Sequence, residues 1–401
     1  MALNITNIVN AVNAKNTNAD SNTSDTETRL INTAITLLNG TDGVITYRSR
    51  QELPAPDSEN NGQFVFIPAS SQAFLDSYGD GAFFWSSGDS WNPLQLVREA
   101  VGNEESVFYN TGGGGSSYKF QGTVSGYTSG GRSPAYRDTI DKFSFASDGN
   151  ATDVGNITDS RMQLAGQSST VSGYNSGGFS PGEVNTIDKF PFAVDANATD
   201  VGNLSSNRRL NAGQSSETHG YSSGGNPQNN IIEKFPFSVD ENATDVGDLT
   251  SNRNQLTGQS SSTHGYVSGG NPLNNIIEKF PFAVDENATD VGDLTQSRRG
   301  ASGTSSETHG YTAGGGAPSY TDRIDKFSFT VDGNATDVGD LFSVNYYATA
   351  GQSSTTHGNT TGGYTPSITN RIQKFSFASD GNATDVGDLF QSRAWVAGQQ
   401  V

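Results

Sequence analysis

Residues 208–253 of the chain read RRLNAGQSSETHGYSSGGNPQNNIIEKFPFSVDENATDVGDLTSNR. Within this stretch, short runs with strand-like apolar character are separated by segments rich in Gly, Asn and Pro, which favour tight turns. The clearest run is residues 231–237, which has the alternation of a β-strand. Four such strands in a unit of this length are typical of one blade of a β-propeller.

The same unit recurs along the C-terminal part of the chain. The phrase Asn-Ala-Thr-Asp-Val-Gly occurs six times, and its copies begin 45 to 48 residues apart, at Asn150, Asn197, Asn242, Asn287, Asn334 and Asn382. A single unit cannot bury its own faces, whereas six arranged radially can. The repeat therefore predicts a mainly β fold with a six-bladed propeller over residues 118–401. The alternative is a linear β-solenoid, whose coils are usually shorter.

The two ends of the repeat are out of phase. The run from Arg393 to Gln399 matches the first strand of a unit, but no further strand follows it. The first unit, in contrast, has only a weak counterpart of this strand around residues 118–122. We therefore predict that the C-terminal strand completes blade 1 and closes the ring, which would hide two strand edges.

Three segments precede the propeller. Residues 1–43 contain apolar positions with helical spacing, which predicts a short helical segment for attachment or oligomerisation. Residues 44–110 contain aromatic runs at 64–67 and 82–85, which predict a small β-rich domain. Four successive glycines identify residues 111–117 as a Gly-rich linker.

The composition excludes several classes of function. The 401 residues include 48 Gly and no Cys, and they carry a net charge of −19. Nucleic-acid binding requires a basic face, so no nucleic-acid partner is expected. No apolar stretch is long enough to insert into a membrane. The first residues lack the cationic region of a signal peptide, so we expect the protein to be made in the cytoplasm and to leave it only as part of something larger.

The repeat resembles the kelch family of propeller units. The features that carry the resemblance follow one another in the kelch order, namely Tyr221, Gly224-Gly225, Phe235 and Arg253. The Trp that is usual in the fourth kelch strand is absent, and Val246 and Leu249 lie in that region. The resemblance covers about residues 116–401 and implies a kelch-like propeller, with another propeller class as the alternative.

A second resemblance lies in residues 52–91. Leu53-Pro54, then Asn61-Gly62-Gln63-Phe64-Val65, then Phe83-Phe84-Trp85 with Gly88 and Trp91, look like a module that is common in phage tail and fibre proteins. The Asn-Ala-Thr-Asp-Val-Gly phrase is also similar to repeats in virion proteins of marine cyanobacterial phages. These likenesses imply localisation in the virion, partners among tail, baseplate or capsid proteins, and a homotrimer.

Four histidines occupy one position of the repeat: His219, His264, His309 and His357. A catalytic His is expected once, in a unique setting, so we interpret these as part of the blade template. A ring of histidines that meets at the axis is the alternative. The carboxylates recur in the same way, and no pair of distinct acids indicates a glycosidase. We therefore expect no enzyme activity and no cofactor.

Three acidic runs have the spacing of oxygen ligands in calcium loops: Asp148–Asp153, Asp332–Asp337 and Asp380–Asp385. They lack the Gly at the sixth position and the distal Glu of that class. We interpret them as Asx turns between strands and assign no metal ligands, while calcium binding stays open.

The loops that follow the Gly-Gly pairs vary most between copies and are expected on one face of the propeller. Four of their aromatic residues suit stacking on sugars: Tyr136, Phe179, Tyr320 and Tyr364. We therefore expect a non-enzymatic phage tail fibre or receptor-binding protein that recognises a host surface glycan or protein. The alternatives are a head-decorating or collar protein with a purely structural propeller, and a carbohydrate-active enzyme.

Overall fold

The computed structural model describes residues 119–317, 319–342, 349–365 and 367–401, together with the backbone of five strands nearer the N terminus. The chain divides into two units, Met1–Ser116 and Ser117–Val401. The five strands of the first unit form one sheet in chain order: Ile45–Thr46, Phe64–Pro68, Gly81–Ser86, Trp91–Val101 and Glu104–Asn110. The segments predicted as a helix within residues 1–43 and as a linker at 111–117 lie outside the described residues. No helix that could cross a membrane occurs among the described residues.

The second unit consists of six antiparallel, four-stranded sheets, which we number as blades 1 to 6 in chain order. The strands of each blade are given from the innermost to the outermost. Blade 1 consists of Ala397–Gln400, Ser125–Ser129, Thr139–Ser144 and Thr152–Asn156; blade 2 of Ala165–Ser168, Ser172–Ser176, Thr186–Pro191 and Thr199–Asn203; and blade 3 of Ala212–Ser215, His219–Ser223, Asn229–Pro236 and Thr244–Arg253. Blade 4 consists of Thr257–Ser260, His264–Ser268, Ile276–Pro281 and Thr289–Asp293; blade 5 of Ser302–Ser305, His309–Ala313, Arg323–Ser328 and Thr336–Asp340; and blade 6 of Ala350–Ser353, His357–Thr361, Arg371–Ser376 and Thr384–Asp388. Two short hairpins, Gly316–Ala317 with Ser319–Tyr320 and Tyr364–Thr365 with Ser367–Ile368, lie in the loops of blades 5 and 6.

The predicted ring closure is confirmed. The C-terminal strand Ala397–Gln400 pairs antiparallel with Ser125–Ser129 and forms the innermost strand of blade 1. Residues 118–122, in which we expected a weak first strand, do not contribute one. Instead, the N–H of Gly122 bonds to the carbonyl of Ser353, and the Gln121 side chain donates to the carbonyl of Ser305. The chain therefore enters the propeller beside the innermost strands of blades 5 and 6.

The six innermost strands contact one another in a closed ring around the axis. Each strand carries a glycine at its second position: Gly166, Gly213, Gly258, Gly303, Gly351 and Gly398. A Cβ atom on any of them would collide with the carbonyl oxygen of the matching glycine in the preceding blade. Only glycine permits this close approach of backbones.

Aromatic side chains fill the space between the blades. In blades 1 to 5 a Tyr of the second strand stacks on a Phe of the following blade, with ring centroids 4.6–4.9 Å apart, as in Tyr221 on Phe282 and Tyr266 on Phe329. Each of these tyrosines is nearly inaccessible to solvent. Blade 6 has Asn359 at this position.

The repeated phrase Asn-Ala-Thr-Asp-Val-Gly joins neighbouring blades. The side-chain oxygen of its Asn accepts a hydrogen bond from a backbone N–H of the preceding blade, and the next N–H donates to a carbonyl there. Asn242 and Ala243 bind Asn203 in this way, and Asn150 with Ala151 makes the same contacts to Asp388 across the closing junction. All six junctions have both bonds.

A buried ion pair lies inside five of the six blades. The pairs are Arg393–Asp141, Arg161–Asp188, Arg208–Glu233, Arg253–Glu278 and Arg298–Asp325, and their side chains are 0–1% exposed. Each carboxylate also accepts a backbone N–H, for example that of Thr250 on Glu278. Burial raises the pKa of the Glu278 carboxyl, and the Arg253 guanidinium opposes this shift.

Blade 6 departs from this pattern at both positions. Gln373 stands where the other blades have the acid, and it keeps the acceptor role by bonding to the backbone N–H of Phe342 at 2.8 Å. The sequence has Tyr346 at the position of the arginine, four residues before Ala350. Both charges are therefore absent together, as expected if one buried charge without its partner is costly.

We predict that the two charges of a blade are coupled. Arg253→Leu leaves a buried carboxylate without its partner and is expected to lower the free energy of unfolding by about 3–5 kcal/mol. Arg253→Leu/Glu278→Gln should recover more than half of this loss, because neither charge remains. Urea unfolding of the full chain, followed by circular dichroism, measures both variants, and equal losses in the single and double variants would contradict the prediction.

The matched control is Gln373→Glu, which introduces a buried carboxylate in blade 6, whose sequence lacks the arginine that pairs with the acid in the other blades. Burial should raise the pKa of this new carboxyl, so its cost is small where it binds a proton and grows as the pH rises through that pKa. We expect a larger loss of stability at about pH 8 than at about pH 4.5. A loss that does not depend on pH would indicate a packing effect instead.

Candidate functional site

The loops after the Gly-Gly pairs all lie on one face of the propeller, which we call the upper face. They connect the second strand of each blade to the third, and the antiparallel pairing sets them next to the start of the innermost strand. At Gly224 and Gly225 the backbone has φ of +61° and +127°, a conformation that favours glycine. The turns between third and fourth strands lie on the opposite, lower face, together with the entering segment 119–122.

The four loop aromatics identified from the sequence form two pairs on the upper face. The rings of Tyr136 in blade 1 and Phe179 in blade 2 meet edge to face, with centroids 6.1 Å apart. Tyr320 in blade 5 and Tyr364 in blade 6 repeat this arrangement at 6.5 Å. Tyr320 is 45% exposed and the other three are half-buried. Each pair therefore presents an apolar surface across a junction between two blades.

Matched loop positions explain why pairs form only at these two junctions. Tyr136 and Tyr320 are the sixth residue after the first Gly of their loops, whereas Phe179 and Tyr364 are the second. A pair requires the first kind of loop followed by the second. Blades 3 and 4 instead have short Asn-Pro loops, at Asn226-Pro227 and Asn271-Pro272, both with a cis peptide bond.

Charged side chains hold the first pair in place. The guanidinium of Arg209 lies 4.5 Å from the centroid of Phe179, in cation–π contact, and its Nε is 3.2 Å from Glu183. The Arg132 guanidinium lies 5.8 Å from the centroid of Tyr136. The second pair has no matching arginine next to Tyr364, because the position equivalent to Arg209 is Ala394.

A cavity of about 130 Å³ opens at the axis on the upper face. Its wall is formed by the starts of the six innermost strands, and it ends at the ring of axial glycines. We call it the axial mouth. The side chains at its rim come from one position of the repeat and include Gln163, Leu210, Gln255 and Trp395.

The rim residues have an unusual backbone conformation. Gln163, Leu210, Gln255 and Trp395 have φ between +53° and +61°, and Gly300 occupies the same position in blade 5 with φ of +64°. Their backbones form a chain of hydrogen bonds around the mouth, as in Leu210 N–H to Gln163 C=O at 2.8 Å and Gln255 N–H to Leu210 C=O at 2.9 Å. The left-handed conformation costs a non-glycine residue about 1–2 kcal/mol.

The sequence did not predict the axial mouth. The only signal in the sequence was one position of the repeat, which lies two residues before the first residue of each innermost strand. Blade 5 has Gly300 there, and the other copies have unlike residues. Variation at a site next to an invariant glycine could have indicated a site facing open space.

The histidines do not meet at the axis. Each of the four lies at the start of a second strand, near the lower face, and its Nδ1 is 2.8–2.9 Å from the hydroxyl of the preceding Thr. Burial, followed by the nearby Lys of the third strand, lowers the pKa of each histidine, with Lys234 acting on His219 and Lys279 on His264.

The acidic runs form ion pairs between blades. Asp148 pairs with Lys374, Asp332 with Lys279 at 2.6 Å and Asp380 with Lys326 at 2.8 Å. Equivalent Lys–Asp pairs complete a ring of six on the lower face. The last Asp of a run forms an Asx turn, as Asp153 does with the N–H of Gly155. The residues that the structure describes contain no group of three or more His, Asp or Glu that could hold a metal ion.

The lowered pKa of the histidines predicts acid sensitivity. Protonation is disfavoured in the folded state, so their contribution to stability is complete above pH 6.5, the ordinary pKa, and is lost as the pH falls below it toward the folded pKa. Replacing all four by Ser, which blades 1 and 2 have as Ser125 and Ser172, should reduce the drop in melting temperature between about pH 7.5 and pH 5. An unchanged drop would assign the acid sensitivity to other groups.

No protein-family model matches the chain, and no curated protein matches it either.

Proposed function

We propose that the propeller is a carbohydrate-recognition module that binds through its upper face. The observation that carries this proposal is the recurrence of the same aromatic pair at two junctions, Tyr136–Phe179 and Tyr320–Tyr364. Aromatic faces and edges stabilise the apolar side of a sugar ring, while nearby polar groups bond to its hydroxyls. Two equivalent pairs on one rigid ring would engage two parts of one extended glycan.

The scaffold supports recognition by these loops in preference to recognition by the lower face. The interblade contacts that repeat in every blade, the Lys–Asp ring and the four histidines lie toward the lower face or between the blades. The chain enters the propeller through residues 119–122 on the lower face, which leaves the upper-face loops outside that connection. Loops on a rigid scaffold commonly carry recognition.

We infer further that the protein is a phage virion component, a tail fibre or receptor-binding protein whose ligand is a host surface glycan. The support is the resemblance of residues 52–91 and of the repeated phrase to phage structural proteins. Several copies on one particle would bind a cell surface by multivalency, so a weak single site would suffice. A virion protein with a purely structural propeller, on the head or collar, is the competing assignment.

We propose binding without catalysis. The buried carboxylates of five blades face arginines, and the exposed aspartates of the lower-face turns face lysines. A glycosidase needs one acid with a raised pKa and a second, ionised carboxylate, both reaching the substrate. The buried acids, Asp188 and Glu278 among them, have raised pKa values but are closed off from solvent.

The aromatic pairs provide the test. Tyr136→Ala/Phe179→Ala and Tyr320→Ala/Tyr364→Ala are each expected to weaken binding to immobilised bacterial polysaccharide or lipopolysaccharide by about tenfold or more, because each removes two stacking rings. Their melting temperatures should stay near that of the wild type, since the four rings are partly exposed. Binding is measured by biolayer interferometry after a screen on a glycan array.

The matched control is Val239→Ala/Val284→Ala, which removes two exposed apolar side chains from the lower face. This variant should bind as the wild type does. Binding that is unaffected by both aromatic variants would overturn the proposal. Release of reducing ends from the polysaccharide would instead favour an enzyme, and particles that lose stability without the propeller would favour a structural role.

A further inference from the structure

The axial mouth is built differently from the rest of the ring. The innermost strands and the contacts between blades repeat nearly the same side chains, but the rim of the mouth carries Trp395, Gln163, Leu210, Gln255 and Gly300 in blades 1 to 5. A symmetric scaffold therefore surrounds a one-sided opening. The large indole of Trp395 comes from blade 1, whereas Gly300 gives the rim no side chain in blade 5.

The backbone at the rim indicates that these side chains are kept for a purpose other than folding. Gly300 shows that glycine fits the position, and glycine adopts φ near +60° without strain. Trp395, Gln163 and Leu210 hold the same conformation at a cost in stability. Strained positions of this kind cluster at ligand sites, where the surrounding structure supports them.

The shape of the mouth limits the size of a ligand. The cavity of about 130 Å³ is smaller than the ~300–1,000 Å³ of pockets that bury a drug-sized ligand, so it suits one small ring and not a chain of them. The axial glycines line its inner end. The hydrogen bonds between neighbouring rim backbones fix its outline before a ligand arrives.

The chemistry of the mouth limits the kind of ligand. Its lining contains no ionisable side chain, and the chain as a whole carries a net charge of −19. The Arg209 guanidinium reaches the rim, where its Nη1 donates to Gln163 Oε1 at 3.2 Å, but it is already paired with Glu183, so it leaves no unpaired positive charge for an anionic ligand. An indole, aliphatic side chains and two glutamine amides suit a ring with one apolar face and several hydroxyls.

We propose that the axial mouth binds a single neutral sugar ring, stacked on Trp395 and hydrogen-bonded by the amide of Gln255 and by the amide N–H groups of Gln163, whose Oε1 accepts from Arg209. The proposal rests on the proposed function, because it gives the upper face a subsite for the terminal residue of a glycan that the loop aromatics would hold further out. It also makes a claim of its own, that a free monosaccharide is sufficient for binding at the axis.

Titration calorimetry of the full chain tests this claim with the methyl glycosides of glucose, galactose, mannose and N-acetylglucosamine. At least one should bind with one site per chain and a dissociation constant of about 1 mM. Glucuronic acid should bind more weakly than its neutral counterpart. The decisive variant is Trp395→Gly, which copies blade 5, relieves the left-handed backbone and should keep or raise the melting temperature. It should weaken binding of the monosaccharide at least tenfold.

Two further variants separate this proposal from the proposed function. Tyr320→Ala/Tyr364→Ala should leave binding of the monosaccharide unchanged while it weakens binding of the polysaccharide. Val239→Ala should change neither. Monosaccharide affinity that survives Trp395→Gly, or no binding of any of the four glycosides at about 50 mM, would overturn the axial subsite. If the axial subsite is overturned but the loop variants still abolish binding of the polysaccharide, the proposed function of the upper face is retained.

Discussion

The fold depends on the close approach of six innermost strands at the axis. Their second residues, from Gly166 to Gly398, have no Cβ, and this lets each backbone lie against the carbonyl of its neighbour. Once these strands are in place, the remaining contacts follow in register, because the Tyr–Phe stacks, the Lys–Asp pairs and the Asn–backbone bonds all join equivalent positions of adjacent blades. Closure by Ala397–Gln400 is a consequence of the same constraint, since a ring with one innermost strand missing would expose two edges near the axis.

Blade 6 differs from the other blades at several of these contacts, and the differences show which residues depend on one another. Where the other blades have the buried acid, blade 6 has Gln373, and its sequence has Tyr346 four residues before Ala350, the position at which the other blades have the arginine. At the junction between blades 5 and 6, Thr304 replaces a Gln whose amide elsewhere donates to the carbonyl of the Tyr in the next blade, and Asn359 replaces that Tyr. The paired change at the ion-pair positions is what mutual dependence predicts, because one charge left alone in the interior is costly. The changes at Thr304 and Asn359 are not of this kind, because the Gln amide bonds to a backbone carbonyl that any residue provides.

Much of the propeller could be predicted from the repeat, since its period fixes the blade length and its phase fixes the closing strand. The axial mouth could not, because a left-handed backbone is readable from sequence mainly where glycine marks it, and Trp395, Gln163 and Leu210 hide the conformation that Gly300 shows. The four loop aromatics were identified by composition, but their arrangement in two pairs depends on distances between blades that no local pattern contains. The prediction of a strand at 118–122 was wrong because the described residues there bond to the ends of the innermost strands of blades 5 and 6, as Gly122 does to Ser353, and not along the second strand of blade 1.

The upper face varies in sequence from blade to blade, whereas the lower face and the interblade contacts repeat, because the two carry different roles. Residues that join blades meet equivalent partners at all six junctions, as Lys234 and Asn242 do, or at five of them, as Tyr221 does, so a change at one of these positions removes a contact between blades. Upper-face loops and rim residues contact solvent and can differ from blade to blade without this effect. Recognition of an asymmetric molecule requires such differences, because six identical blades would offer six equivalent orientations to one ligand at the axis. Two features make the six orientations unequal: the rim of the mouth has unlike residues, and the two aromatic pairs lie on one side of the ring, in blades 5, 6, 1 and 2. The modest backbone strain of the rim is tolerated because the contacts between blades below it are numerous.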